Sequence, residues 1–148
     1  MYRVTTEPLS ADDLVQAVTI PEAGGIAVFL GVVRDHTAGR RVVALEYEAH
    51  TAMAEAKLKE IGEEVHRQWP EVKQVAMVHR IGRLPIGEPS VAIAVSAVHR
   101  RDALEACHFA IDRLKETVPI WKREIFEDGA VWVGLQGESP PPRESPAA

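Results

Sequence analysis

The pattern of apolar residues predicts an α+β fold, a single domain with three helices and a mainly antiparallel or mixed sheet. Three observations predict it. Strand-like segments adjoin one another, with helical segments between only some of them, which is the α+β order rather than regular alternation. Two long segments carry apolar stripes at spacings of three and four, the mark of a helix lying on a sheet. The 148-residue chain is also long enough to bury roughly two thirds of its unfolded surface around one core.

The elements follow in order. Tyr2 to Thr6 reads as a short strand. Ser10 opens a helix to about Val18, with Asp13 three residues on as in a capping box, and Pro21, Gly24 and Gly25 end it. Gly25 to Val33 is apolar on both alternating faces, which predicts a central strand, with Gly31 marking a bulge or a close backbone approach. Arg34 to Arg41 is polar and reads as a mobile loop. Val43, Leu45 and Tyr47 alternate with Ala44, Glu46 and Glu48, giving a half-buried strand. Thr51 to Gln68 is a long helix whose Ala54, Leu58, Ile61 and Val65 face the sheet. Val72 to Ile81 and Ser90 to Val98 are two more strands, joined through Gly82, Pro85 and Gly87-Glu-Pro89. In the second, Val91, Ile93 and Val95 share one face; the small Ala92, Ala94 and Ser96 share the other and let a helix or second sheet lie close. From Arg100 to Val118 a helical stripe runs through Ala103, Ala106, Cys107, Ala110, Ile111 and Leu114, and Pro119 stops it. Ile120 to Phe126 and Ala130 to Val133 form a hairpin about Asp128-Gly129. Residues 1–136 constitute the domain, and 137–148, rich in proline and poor in apolar residues, a disordered tail.

Composition excludes several classes. The longest apolar run, Gly25 to Val33, is far short of the ~20 residues of a spanning helix. The single cysteine, Cys107, allows no internal disulfide, and the first residues lack a signal-peptide apolar run, so a soluble protein in a reducing, cytoplasmic setting is expected. A formal net charge of −5 argues against general nucleic-acid binding. The six histidines show no ligand spacing with Cys107 or one another, and the glycines make neither a dinucleotide nor a Walker loop. No metal or cofactor is expected.

Candidate chemistry lies in two places. His99-Arg100-Arg101 sits where a strand gives way to a helix, where cations oppose the helix dipole at a cost of about 0.3–1 kcal/mol each. An anion bound there would reverse that cost; pairing of the arginines with Asp102 or Glu105 is the plain alternative. Lys115 lies at the edge of its helix's apolar stripe, placed to reach a cleft beside the core. Its plain reading is a last-turn cation complementing the dipole and pairing with Asp112. Lys122 faces opposite to Trp121, so an inward tryptophan would leave Lys122 exposed.

Taken in order along the chain, Phe29-Leu-Gly-Val-Val-Arg34, Leu45-Glu-Tyr-Glu-Ala49 with Met53-Ala54, His79-Arg-Ile-Gly82, Gly87-Glu88, His99-Arg100, Leu114-Lys115 and Pro119-Ile-Trp-Lys-Arg-Glu124 resemble the large, catalytic subunit of molybdopterin synthase. The resemblance runs from about Gly25 to Trp132. It implies an α/β hammerhead fold, a homodimer of large subunits, and a small ubiquitin-like subunit at each end. It implies a sulfurtransferase that moves sulfur from the small subunit's C-terminal thiocarboxylate to cyclic pyranopterin monophosphate, forming the molybdopterin dithiolene. The residues it carries over are Lys115 and Lys122 as catalytic groups, Arg34, His99 and Arg100 as a cradle for the phosphate, and Phe29 as a pocket wall. One departure stands out: the family often places an arginine shortly after the position of Trp132, reaching across the dimer, whereas here Val133-Gly-Leu-Gln136 follows. Arg143 lies in the tail, and Arg80 or Arg83 are the substitutes nearest to hand. Two competing classes remain, a non-catalytic module for a small phosphorylated ligand and a subunit that only scaffolds a partner.

Overall fold

The structure, a computed structural model, describes residues 1–135 and 143–144. In chain order the elements are β1 (Tyr2–Thr5), α1 (Ala11–Val18), β2 (Gly25–Val32), β3 (His36–Thr37), β4 (Arg40–Ala49), α2 (Thr51–Gln68), β5 (Val72–Arg80), β6 (Gly82–Pro85), β7 (Pro89–Ala97), α3 (Arg100–Thr117), β8 (Ile120–Phe126), β9 (Gly129–Leu135) and β10 (Arg143–Glu144). The α+β class with three helices is as expected, but the strands divide into two sheets. One has the order β1-β5-β7-β2, antiparallel except that β1 runs parallel to β5. The other is antiparallel with the order β10-β9-β8-β4-β3, and β6 also pairs with β4.

The four-stranded sheet is covered on both faces because β7 offers two different surfaces. Val91, Ile93 and Val95 enter the main core, where Ala54, Leu58, Ile61 and Val65 of α2 and the whole predicted stripe of α3 are buried. The small residues Ala92 and Ala94, with Ala76 and Val78 of β5, form a shallow face on which Leu14 and Val18 of α1 pack. Each fully buried Leu or Ile, such as Leu58, Ile93 or Leu114, contributes about 1.5–3 kcal/mol. The Ser10 side chain accepts from the Asp13 N–H at 3.2 Å, so α1 starts with the predicted cap.

Three sequence expectations need correction. Gly25 to Val33 is not a central strand: among the described residues β2 pairs only with β7 and stands at the sheet edge, with Ile26, Val28, Leu30 and Val32 exposed. Apolar residues on both faces fit a strand between layers and equally an edge strand with uncovered flanks, so the pattern does not distinguish them. The expected loop at Arg34 to Arg41 contains a small hairpin, β3 against β4, turning through Ala38 and Gly39, both at positive φ (50° and 78°). Two strands, β3 and β6, are too short to show a period-2 pattern and were not anticipated. The Gly31 expectation holds: the β2–β7 register shifts between Gly31 and Val32. Most of the expected tail lies outside the described residues; within it, Arg143–Glu144 pairs with Trp132 and Val131 of β9. Among the described residues no helix is long and apolar enough to cross a membrane.

Gly62 of α2 lies against the β1 strand, where a Cβ would collide with the Tyr2 hydroxyl. Gly62→Ala is therefore expected to destabilise the fold by about 1–3 kcal/mol, although alanine ordinarily favours a helix interior; a chemical denaturation midpoint at or above wild type would contradict this packing.

Candidate functional site

A cavity of about 290 Å³ opens between the two sheets, lined by Phe29, Gly31, Val32, Arg34, Thr37, Leu45, Tyr47, Ser90, Val91, Lys115, Lys122 and Glu124. Each wall comes from a different element. From β2 come Phe29 and the close-packed Gly31, where a Cβ would strike Val91. Arg34 follows Val33, whose backbone is locked to the β6–β7 turn by Val33 N–H to Glu88 O (3.0 Å) and Gly87 N–H to Val33 O (2.7 Å). Lys115 comes from the last turn of α3, held by the buried Ile111 and Leu114. Lys122 and Glu124 come from β8, opposite Tyr47 and Leu45 of β4.

The strand β8 explains why Lys122 enters the cavity. Side chains alternate along a strand, so Lys122 and Glu124 share one face and Trp121 and Arg123 the other. Trp121 points outward and is exposed, the reverse of the arrangement that would have put Lys122 in solvent. Arg123 meets Glu46 at 3.3 Å, and Glu46 also meets Arg83 at 3.7 Å, so that face carries its own ion-pair group. On the cavity face Lys122 Nζ lies 3.6 Å from Glu124 Oε1. Glu124 is only 4% exposed, and its Oε2 is buried with no hydrogen-bond partner. A buried carboxylate with a spare acceptor is costly unless a cation or donor faces it. Here Lys122 supplies that compensation.

Tyr47 adds a neutral polar wall. Its ring packs edge-on to the buried His79, with centroids 4.9 Å apart. Its hydroxyl hydrogen-bonds Ser90, whose Oγ donates to the Gly31 carbonyl at 3.3 Å. Burial raises the Tyr47 pKa, with Ser90 opposing and Glu124 adding to the rise, so the phenol stays protonated. Lys115 moves the other way: desolvation lowers its pKa first, then the positive charges of Lys122 and Arg34, while Asp112 opposes. Asp112 itself pairs with His108 at 3.4 Å, so the expected Asp112–Lys115 pair is not the one formed.

A second, more apolar cavity of about 460 Å³ adjoins the first, lined by Ala27, Val28, Phe29, Leu104, Cys107, His108, Ile111, Asp112 and Lys115. Phe29 and Lys115 belong to both, so Lys115 sits at their junction. Burial pushes the Cys107 thiol up to about 11, which leaves it protonated and unreactive near neutrality.

Of the predicted residues, then, Phe29, Arg34, Lys115 and Lys122 converge. His99 and Arg100 do not join them within one chain. His99 is the N-cap of α3 without a side-chain cap bond, Arg100 begins that helix, and both are exposed. Fifteen residues of α3 separate Arg100 from Lys115, roughly 22 Å along the axis. Arg101 pairs with Glu105 at 2.9 Å, as the plain reading anticipated. Neither proposed substitute for the missing arginine lines the cavity: Arg80 reaches Glu88 (3.9 Å) and Arg83 reaches Glu46. Sequence reasoning missed Glu124, Tyr47 and Ser90; the i, i+2 spacing of Lys122 and Glu124 on a strand was the available signal for the first.

A lowered pKa means that Lys115 yields its neutral amine at a lower pH than an ordinary lysine. Acylation of Lys115 by an amine-selective reagent, followed by mass spectrometry across the alkaline range, is expected to show a midpoint below 10.5, moving upward in Lys122→Ala; a wild-type midpoint at 10.5 or above would contradict the electrostatics of the cavity.

Comparison with known proteins supplies relatives over nearly the whole chain. A family model described as MoaE protein matches residues 4–117. A Halalkalibacterium halodurans protein named molybdopterin synthase catalytic subunit is 48% identical, the match covering 93% of this chain and 88% of that protein. A human protein of the same name is 45% identical over 88% of this chain and 69% of its own length. The crystal structure of molybdopterin synthase from Staphylococcus aureus superposes with a TM-score of 0.87 at 44% identity, covering 90% of this chain and 96% of that one.

Proposed function

The chain belongs to the MoaE family, and we infer from that membership and from the cation-lined cavity that it is a molybdopterin synthase catalytic subunit, acting in molybdenum cofactor biosynthesis. The proposed reaction is sulfur transfer from the C-terminal thiocarboxylate of a small ubiquitin-like subunit to cyclic pyranopterin monophosphate. The observation that carries this reading is the convergence of Arg34, Lys115 and Lys122 on one cavity of about 290 Å³, near the lower end of the usual ~300–1,000 Å³ range for small-molecule sites. Both proposed reactants are anionic where they meet the protein, and three cations against one carboxylate leave a net positive site.

Lys115 at the junction of the two cavities is assigned to the thiocarboxylate and to the oxyanion that develops as its acyl carbon is attacked. A donor fixed beside that position is typically worth 10²–10³ in rate. Its lowered pKa also brings it nearer the range in which a lysine exchanges protons at neutral pH. Lys122 is assigned to orienting the pterin or donating a proton, with Glu124 as its counter-ion. Arg34 offers a planar, doubly donating group to the phosphate. The adjoining apolar cavity suits the approach of an extended chain terminus.

Partners complete the proposal. A small subunit as sulfur donor accords with a Helicobacter pylori structure titled as a complex of subunits 1 and 2 of molybdopterin-converting factor, whose likeness at 21% identity is one of fold. The two-large, two-small assembly is likewise proposed. The uncovered apolar edge of β2 is a surface that a homodimer would bury. Because His99 and Arg100 lie a helix length from their own cavity, they join a phosphate cradle only if a second copy presents its α3 start there.

Incubating the chain with a thiocarboxylated small subunit and cyclic pyranopterin monophosphate is expected to yield molybdopterin, read by fluorescence after oxidation. Lys115→Ala is expected to lower that yield by about 100-fold or more with melting temperature and small-subunit binding retained. Activity within a few-fold of wild type would remove Lys115 from the chemistry, and saturable pterin binding without product would favour a binding module instead.

A further inference from the structure

Thr37 of the cavity wall belongs to a flap, β3 and the first residues of β4 joined by the tight Ala38-Gly39 turn, and Arg34 lies at the entry to that flap, next to Val33. One leg is anchored where Val33 bonds to the β6–β7 turn, and Val42 N–H to Asp35 O (2.8 Å) closes its base. The other leg is tied to the turn between β8 and β9. Glu127 N–H donates to the Arg41 carbonyl at 3.0 Å, Arg40 Nη2 meets Asp128 Oδ1 at 2.8 Å, and the Arg40 guanidinium carbon lies 3.8 Å from the centre of the buried Phe126 ring.

An exposed ion pair alone often contributes nothing measurable. Arg40 differs because its planar group is stacked on a ring and paired at its rim, which restricts the side chain to one geometry. Directly across the β3–β4 ladder, Arg40 is the partner of Thr37, which lines the cavity. Strand β8, at whose end the latch sits, also carries Lys122 and Glu124. Arg40 therefore joins the wall that bears Arg34 and Thr37 to the strand that bears Lys122.

We propose that Arg40 is a positioning residue: through Asp128 and Phe126 it latches the β3–β4 flap to the β8–β9 turn and thereby fixes Arg34 and Thr37 at the mouth of the anion site. The proposal rests on the cavity being that site and adds a residue outside it. Arg40 touches no substrate, so its loss acts on binding rather than on the chemical step.

The test uses the full chain with Arg40→Ala, Asp128→Asn, the double variant and Arg40→Lys. Inorganic phosphate titration and amide hydrogen exchange over residues 36–42 are the readouts that need no turnover. Each single variant is expected to weaken phosphate binding about three- to tenfold and to speed exchange in the flap, with an unchanged global unfolding midpoint. The double variant should be no worse than either single one, since both break the same latch, and Arg40→Lys should fall between wild type and Arg40→Ala. In the sulfur-transfer assay the loss should appear in KM with kcat retained. Unchanged flap exchange in Arg40→Ala, or fully additive effects of the two substitutions, would overturn the latch. A wild-type chain that transfers no sulfur would overturn the proposed reaction instead, and the exchange measurement would still decide the role of Arg40.

Discussion

Mutual repulsion among the cations around one small cavity is the constraint to which the surrounding structure responds. The charges of Lys122 and Arg34 add to desolvation, the larger cause, in lowering the Lys115 pKa, so gathering these cations opposes their charged forms. Flexible side chains on mobile loops would relieve that repulsion by turning to solvent. Lys115 is instead mounted beside the buried Ile111 and Leu114, and Lys122 lies mid-strand between β4 and β9. Arg34 follows a residue whose N–H and carbonyl are both bonded. Among the described residues Glu124 supplies the one carboxylate in the lining, and its burial makes sense only in that company.

The locality of each pattern decides which parts of the molecule were legible from sequence. The buried face of α3 was readable residue by residue, because its period is local and its surroundings apolar all along. The small face of β7 was readable as a docking surface, though not that α1 would be the element to occupy it. The division into two sheets was not readable, since it depends on pairings such as β4 with β8, whose partners Tyr47 and Lys122 lie far apart in sequence. The edge position of β2 differs from the expectation for a related reason: its residues carry the composition of a buried strand while one flank has no strand partner among the described residues.

For the site, local reasoning left Lys115 and Lys122 with plain structural explanations, and the ordered resemblance along the chain singled them out. The structure brings them together with Arg34 and Phe29 and separates them from His99 and Arg100, which the same resemblance had grouped with them. Helix geometry accounts for the separation: residues at opposite ends of an 18-residue helix cannot serve one small cavity from one chain. The order of motifs along a sequence does not say whether their residues meet within one chain.

The identities of the cations also follow from their positions. Arginine keeps its charge under essentially all conditions and offers a planar, constant donor, which suits the exposed Arg34 to the anion-binding role proposed for it. Lysine changes its pKa readily when desolvated, and Lys115 is placed where that happens, between a polar cavity and the apolar one formed by Ala27, Leu104 and Ile111. Lys122 has Glu124 alongside and thus a built-in partner on its own strand. Exchanging the lysine and arginine positions would preserve the net charge of the cavity but would move the proton-exchanging amine away from the boundary that tunes it. Charge alone therefore does not define this site; the gradient of solvation across Phe29 and Lys115 does.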